Sequence, residues 1–200
     1  MINISDIQVI DVPELVPQRI KVILKGTAPL IMHKFSQKAK MQILSKQQKK
    51  VVEREIRDPE KEYQESKYID SKGKIAIPAL WVKLAIVDAV RNVPSLTMTL
   101  VRGAVFVKGD EDGLIPLKYR EERNREDVVR IGRGSTDLRY RAEILDWECP
   151  VTLDINPQVL SPVQVLNLLK IGGFSVGLGE WRPQRNGDFG TFEVKKSEES

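Results

Sequence analysis

Residues Ile171 to Val194 read IGGFSVGLGEWRPQRNGDFGTFEV. Six of the chain's 13 glycines fall in this span: Gly172, Gly173, Gly177, Gly179, Gly187 and Gly190. Such density predicts a loop, because glycine serves wherever backbone must turn left-handed or pass close to another group. Gly172-Gly173 is expected to end a helix, and Phe189 to Val194 to form the last strand. A loop between them can present backbone N–H groups to phosphates. Trp181 adds a stacking surface, and Arg182 and Arg185 add positive charge. Composition alone fits equally a glycine-rich hairpin that binds nothing.

Working outward, Ser161-Pro162 predicts an N-cap followed by proline at the first helical position. Val163, Val165, Leu166, Leu168 and Leu169 then build an apolar helix face. Leu138, Tyr140, Ala142 and Ile144 alternate with charged residues, so they read as a half-buried strand; Val151 to Ile155 reads as another. Thr97 to Val107 is strand-like. A helix starting at Pro78 carries Leu80, Trp81, Leu84, Ala85, Val87 and Ala89 as a broad apolar surface. The opening strand is Arg19 to Leu24, ending at Gly26. Short strands at 74–77 and 114–117, and the strands around Trp147, read as embellishments, and Asp110-Glu111-Asp112-Gly113 as a turn. The main order is strand, helix, strand, strand, helix, strand. That predicts an α+β chain with a ferredoxin-like (RRM-like) β-α-β-β-α-β core, the order of RNA-recognition domains.

Two hundred residues and 41% apolar content suffice for one domain with its own core. No apolar stretch approaches the roughly 20 residues of a membrane span. The N-terminus has neither a basic region nor an apolar one, so a cytoplasmic protein is expected. One cysteine, Cys149, excludes an internal disulfide and a thiolate metal cluster. One histidine, His33, excludes a multi-histidine metal site and argues against a catalytic triad. No metal or cofactor is expected.

The net charge of +4 is unevenly spread. Lys34, Lys38, Lys40, Lys46, Lys49 and Lys50 follow one another with no acid among them. The block from 34 to 70 has no glycine between Ser36 and Lys67 and reads as a mostly polar helical insertion, interrupted at Asp58-Pro59. A second basic stretch is arginine-rich, with Arg120, Arg123, Arg125, Arg130, Arg133, Arg139 and Arg141, and Glu121, Glu122, Glu126, Asp127 and Asp137 partly offset it. Arginine favours bidentate phosphate contacts and stacking on bases. Residues 195–200 form a polar tail.

Three segments carry a family resemblance. Gly177-Leu178-Gly179-Glu180-Trp181-Arg182 followed by Asn186-Gly187-Asp188-Phe189-Gly190-Thr191-Phe192-Glu193-Val194 resembles the C-terminal glycine-rich loop of the RAMP superfamily, the repeat-associated RNA-binding proteins of CRISPR systems. Ile77-Pro78-Ala79-Leu80-Trp81-Val82-Lys83-Leu84-Ala85 resembles that family's "I-P-G-S-S-L-K-G-A" start of the first helix, though Ala79-Leu80-Trp81 replaces Gly-Ser-Ser. Lys25-Gly26-Thr27-Ala28-Pro29-Leu30 resembles the turn after its first strand.

The resemblance implies a backbone subunit of a CRISPR effector complex. Its "palm" would be ferredoxin-like, residues 34–70 a finger-like insertion, and residues 117–137 a thumb-like basic hairpin. It further implies a non-catalytic protein that polymerises along single-stranded RNA as a filament, in contact with copies of itself and with other effector-complex subunits. No acidic residue follows Pro29 until Glu53, where target-cleaving members place an aspartate. Candidate binding residues are Lys34, Lys38, Lys40, Lys46, Lys49, Lys50, Arg123, Arg125, Arg130, Arg133, Gly177, Gly179, Trp181, Arg182, Arg185 and Gly187. Single-stranded DNA is the alternative ligand, in a phage annealing factor or a mimic of a CRISPR complex. A repeat-RNA endonuclease drawing on Tyr63, Tyr68, His33 and Lys34 is the minor alternative.

Overall fold

The computed structural model describes residues 12–35, 41, 44, 45, 47, 48, 57–131 and 134–196. The order is β1 (Gln18–Gly26), β2 (Leu30–Met32), α1 (Pro59–Glu65), β3 (Ala76–Pro78), α2 (Ala79–Ala89), α3 (Met98–Ala104), β4 (Val105–Lys108), β5 (Leu114–Pro116), β6 (Glu121–Ile131), β7 (Ser135–Leu145), β8 (Glu148–Ile155), α4 (Pro162–Ser175) and β9 (Phe192–Lys196). Helices and antiparallel sheets make this an α+β chain.

β1 buries one face because its side chains alternate. Val22 and Leu24 are buried while Lys21 and Lys25 face water. It pairs with β8 on one side and β9 on the other, so Leu24 sits between Cys149 and Val194. β8 also pairs with β4, giving the sheet order β4-β8-β1-β9. Val22, Leu24, Val105, Cys149, Val151, Leu153 and Ile155 are buried in one core with Val82, Ala85 and Ile86 of α2 and Val165, Leu168 and Leu169 of α4. Ser161 caps α4 as expected: its Oγ accepts from the Gln164 N–H, and the Gln164 side chain accepts in return from the Ser161 N–H.

A second sheet, β2-β7-β6, stands beside the first. β6 and β7 form one long hairpin, paired from Glu121↔Leu145 to Ile131↔Ser135. α1 packs on this hairpin. Ser66 Oγ accepts from the Ala142 N–H, and Asp58 caps the helix through the Glu60 and Lys61 N–H groups. β3 and β5 make a separate ribbon. Among the described residues no helix is long and apolar enough to cross a membrane.

Several elements depart from expectation. Thr97 to Val107 is not one strand: Thr97 Oγ1 caps α3, whose Val101 and Ala104 bury at helical spacing before β4 begins. Burial at that spacing overrides the β-branched composition. Leu138 to Ile144 is the half-buried strand its alternation predicts, with Ala142 and Ile144 in the core, but it pairs with β2 and β6 as the return arm of the hairpin and not with the four-stranded sheet. Gly172-Gly173 does not end α4, which continues to Ser175. A Cβ on Gly172 would come within 2.7 Å of the Ala85 carbonyl, so this glycine lets α2 and α4 cross closely. The last strand starts at Phe192 rather than Phe189, because residues 189–191 close the preceding loop. Trp147, fully buried, donates from Nε1 to the Ala28 carbonyl at 2.9 Å and fills the space over Gly26.

Candidate nucleic-acid interface

The glycine-rich loop joins α4 to β9 and folds onto itself. The Leu178 N–H donates to the Gly190 carbonyl, Phe189 N–H to Trp181, and Gly187 N–H to Arg182. Two further bonds tie it to the β1–β2 region: Glu180 N–H to Ile31 and Gly190 N–H to Pro29. Gly179 has φ +73° and lies against the Ile31 carbonyl, and a Cβ on Gly187 would collide with the Trp181 carbonyl. These glycines and Gly177 therefore close the loop on its own chain, and many of its N–H groups are spent internally.

The two loop arginines differ. Arg182 is half-buried; Nη1 donates to the Gly179 carbonyl at 2.8 Å, and Nε and Nη2 to Gln184 Oε1. Gln184 in turn donates to Asp88 of α2 at 2.7 Å. Burial, with the nearby Arg185, lowers the Arg182 pKa below its ordinary value. Arg182 thus pins the loop. Arg185 is exposed, at the end of a one-turn 3-10 helix, and Trp181 is partly exposed with φ +52°. Beside them is a concavity of about 720 Å³ whose walls include Thr27, Lys170, Phe174 and Pro183. Phe174 is 84% exposed there.

Four of the hairpin arginines are already paired. Arg123 Nε lies 2.6 Å from Glu121, Arg125 bonds Asp127 at 2.8 Å and Glu143 at 2.9 Å, and Arg139 lies 3.0 Å from Asp137. Buried Arg141 has Nη1 3.4 Å from Asp127, and its Nε has no hydrogen-bond partner among the described residues. Four arginines face four carboxylates, so this face is close to neutral. The sequence pattern carries the signal: an acid two positions along a strand falls on the same face as its arginine. Arg130, near the hairpin tip, is exposed and pairs with no carboxylate among the described residues. Arg133 lies outside the described residues, as do Lys38, Lys40, Lys46, Lys49 and Lys50.

Three segments distant in sequence meet here. The Arg125 guanidinium lies over the Phe189 ring, and Ile31 bridges to Glu180. His33, one step beyond β2, has Nδ1 3.9 Å from Glu180 Oε1. Its pKa falls below the ordinary value through burial first and then Arg141, with Glu180 opposing. Exposed Lys34 places Nζ 5.7 Å from the centre of the Tyr68 ring, which stacks edge-on against Trp81 of α2. The structure therefore brings Lys34, Arg125, Gly177, Gly179, Trp181, Arg182, Arg185 and Gly187 around one junction. Arg141, Glu180 and Phe189 belong to it and were not among the candidates.

The outer face of the four-stranded sheet is mixed in charge. Asp154 accepts from Arg19 at 2.7 Å and Lys108 at 2.9 Å, which holds its carboxyl well below the usual range. Among the described residues no group of three or more His, Cys, Asp or Glu side chains gathers to hold a metal ion. Burial pushes the Cys149 thiol up to about 12, so it is no nucleophile at neutral pH. Compared with known proteins, the chain matches no family model and no curated sequence.

Proposed function

We propose that the chain is a non-catalytic single-stranded nucleic-acid-binding protein that lines up in copies along the strand, with guide RNA in a CRISPR-type complex as the favoured ligand. One observation carries the reading: the β1–β2 region, the glycine-rich loop and the arginine-bearing hairpin, separate in sequence, share hydrogen bonds and a cation–aromatic contact at one junction. Around it stand exposed Lys34 and Arg185 and the aromatic surfaces of Trp181 and Phe174. Cations for phosphates and aromatic faces for bases are what a sequence-tolerant single-strand binder needs.

The sheet order β9-β1-β8-β4, with α2 between β1 and β4 and α4 between β8 and β9, supports a ferredoxin-like core. On this reading the hairpin is the thumb-like insertion and residues 34–70 the finger-like one. The loop glycines act by building the platform, and Arg185 and Trp181 meet the strand. Single-stranded DNA in a phage setting fits the same chemistry. Purifying the protein under nuclease-free conditions and identifying the nucleic acid it carries tests the reading; protein that comes free of nucleic acid and takes up none counts against it.

Metal-independent RNA cleavage gains one observation: His33 stands beside Glu180, with Lys34 and Tyr68 close by. Burial and the nearby Arg141 disfavour the charged imidazole, and the neutral form is the one a general base requires. Cleavage of repeat RNA in chelator, abolished in His33→Ala, would favour this second reading.

A further inference from the structure

Lined by none of the junction's residues, a concavity of about 610 Å³ opens between the end of α1, the β3–β5 ribbon and the root of the hairpin. Lys67, Lys74, Lys118, Tyr119 and Glu122 line it, over Ile75 and Leu117. Lys67 is only 7% exposed; its ammonium lies 3.2 Å from Glu122 Oε1 and 4.3 Å from the centre of the Tyr63 ring. The Tyr63 hydroxyl donates to the same Glu122 oxygen at 2.9 Å. One carboxylate oxygen thus serves one ammonium and one phenol.

Lys74 and Lys118 are exposed and have no carboxylate at ion-pair distance among the described residues. The neighbouring acid, Asp70, is buried and spends Oδ1 on the Lys72 and Lys74 backbone N–H groups, which fixes the turn. The lining side chains therefore hold three positive charges against one negative. Ammonium groups are compact charges with rotatable donors, suited to the several oxygens of a tetrahedral anion. Ile69, 41% exposed at the wall, and the partly exposed Tyr119 ring offer an apolar surface for what the anion is attached to. The volume is within the range of small-ligand sites.

We propose that this pocket binds a phosphate monoester of nucleotide size, its phosphate held by Lys74 and Lys118 with Lys67 beneath and its organic part against Ile69 and Tyr119. The site shares no residue with the proposed strand-binding junction. Such a phosphate comes either from a free nucleotide or from the 5′ end of a strand.

The test is calorimetric titration of the full chain with AMP, with a 5′-phosphorylated tetranucleotide and with its 5′-hydroxyl counterpart. Saturable AMP binding is expected, weakened about tenfold or more in Lys74→Gln/Lys118→Gln, which removes two ammonium groups from the phosphate. Both lysines are exposed, so the melting temperature should hold, and Arg102→Gln is the control that leaves binding unchanged. A 5′-phosphorylated strand favoured over the 5′-hydroxyl one, with the preference abolished in the double variant, identifies a strand end as the source; AMP binding without that preference identifies a free nucleotide. No saturable binding of either phosphorylated probe, or a double variant that binds as the parent does, overturns the proposal. The 5′-hydroxyl strand reports the junction alone, so failure of the strand-binding reading shows separately.

Discussion

The guanidinium of Arg125 lies 4.6 Å from the centre of the Phe189 ring. This contact couples the hairpin to the glycine-rich loop, and Arg125 reaches it while bonded to both Asp127 and Glu143. An arginine held by two carboxylates and an aromatic face is a brace, not a free phosphate ligand. Lys34, Arg130 and Arg185 are the exposed candidate cations with no carboxylate at ion-pair distance among the described residues.

Arg182 and Arg185 should separate stability from binding. Arg182→Ala removes the bonds to Gly179 and Gln184 and should cost about 1–2 kcal/mol. For a chain of this size that lowers the melting temperature by about 2–8 °C. Arg185→Ala should stay within about 0.5 kcal/mol of the parent and weaken strand binding. Thermal melts beside binding titrations check both; an Arg182 variant that melts with the parent contradicts the brace.

Gly26 and Trp147 should behave as one unit. A methyl at Gly26 meets the buried indole, so Gly26→Ala should cost about 1–3 kcal/mol. Trp147→Leu gives up packing and the bond to Ala28, but adding Gly26→Ala to it should cost little more. A double-mutant cycle by denaturant unfolding measures this, and additive losses would show that the two do not share the space.

How far the sequence is legible follows from such pairs. The β1 alternation, the Ser161 cap and the Asp110 turn are local signals, and each element forms where its residues place it. α3 escapes a local reading because its β-branched residues suit a strand, and only the spacing of Val101 and Ala104 against a distant core makes it helical. The glycines announce the loop but not their use in it. That Gly179 must clear Ile31, and Gly172 must clear Ala85, depends on elements about 150 and 87 residues away in the chain. The hairpin arginines are visible as charge, and three of their carboxylate partners stand two positions away on the same strand; the cross-strand pairs Arg125–Glu143 and Arg141–Asp127 become visible only once strand register is fixed.

Acid should weaken the fold through His33. Its folded pKa lies below 6.5, so the unfolded chain binds the proton more readily. Its contribution is then complete above about pH 6.5 and declines as pH falls from there through the folded value. His33→Gln should flatten the stability profile in that window, measured by urea midpoints from pH 8 to pH 5. A variant with the parent's slope would place the titration on other groups.

The lysine block should act by neutralising phosphates. Replacing Lys38, Lys40, Lys46, Lys49 and Lys50 with glutamine should lower the slope of log affinity against log salt by about 0.7 for each phosphate no longer neutralised. Affinities measured across a salt series check this, and an unchanged slope would make the block a solvated surface.

The most direct measurement is a polarisation titration of the purified chain against single-stranded RNA, single-stranded DNA and duplex of matched length, at one salt concentration. The proposed function, with exposed cations beside the rings of Trp181 and Phe174, predicts tight binding to single strands with little base preference, and duplex binding at least about tenfold weaker for want of accessible base faces. Duplex bound as tightly as single strands, or no strand bound at all, would contradict the account.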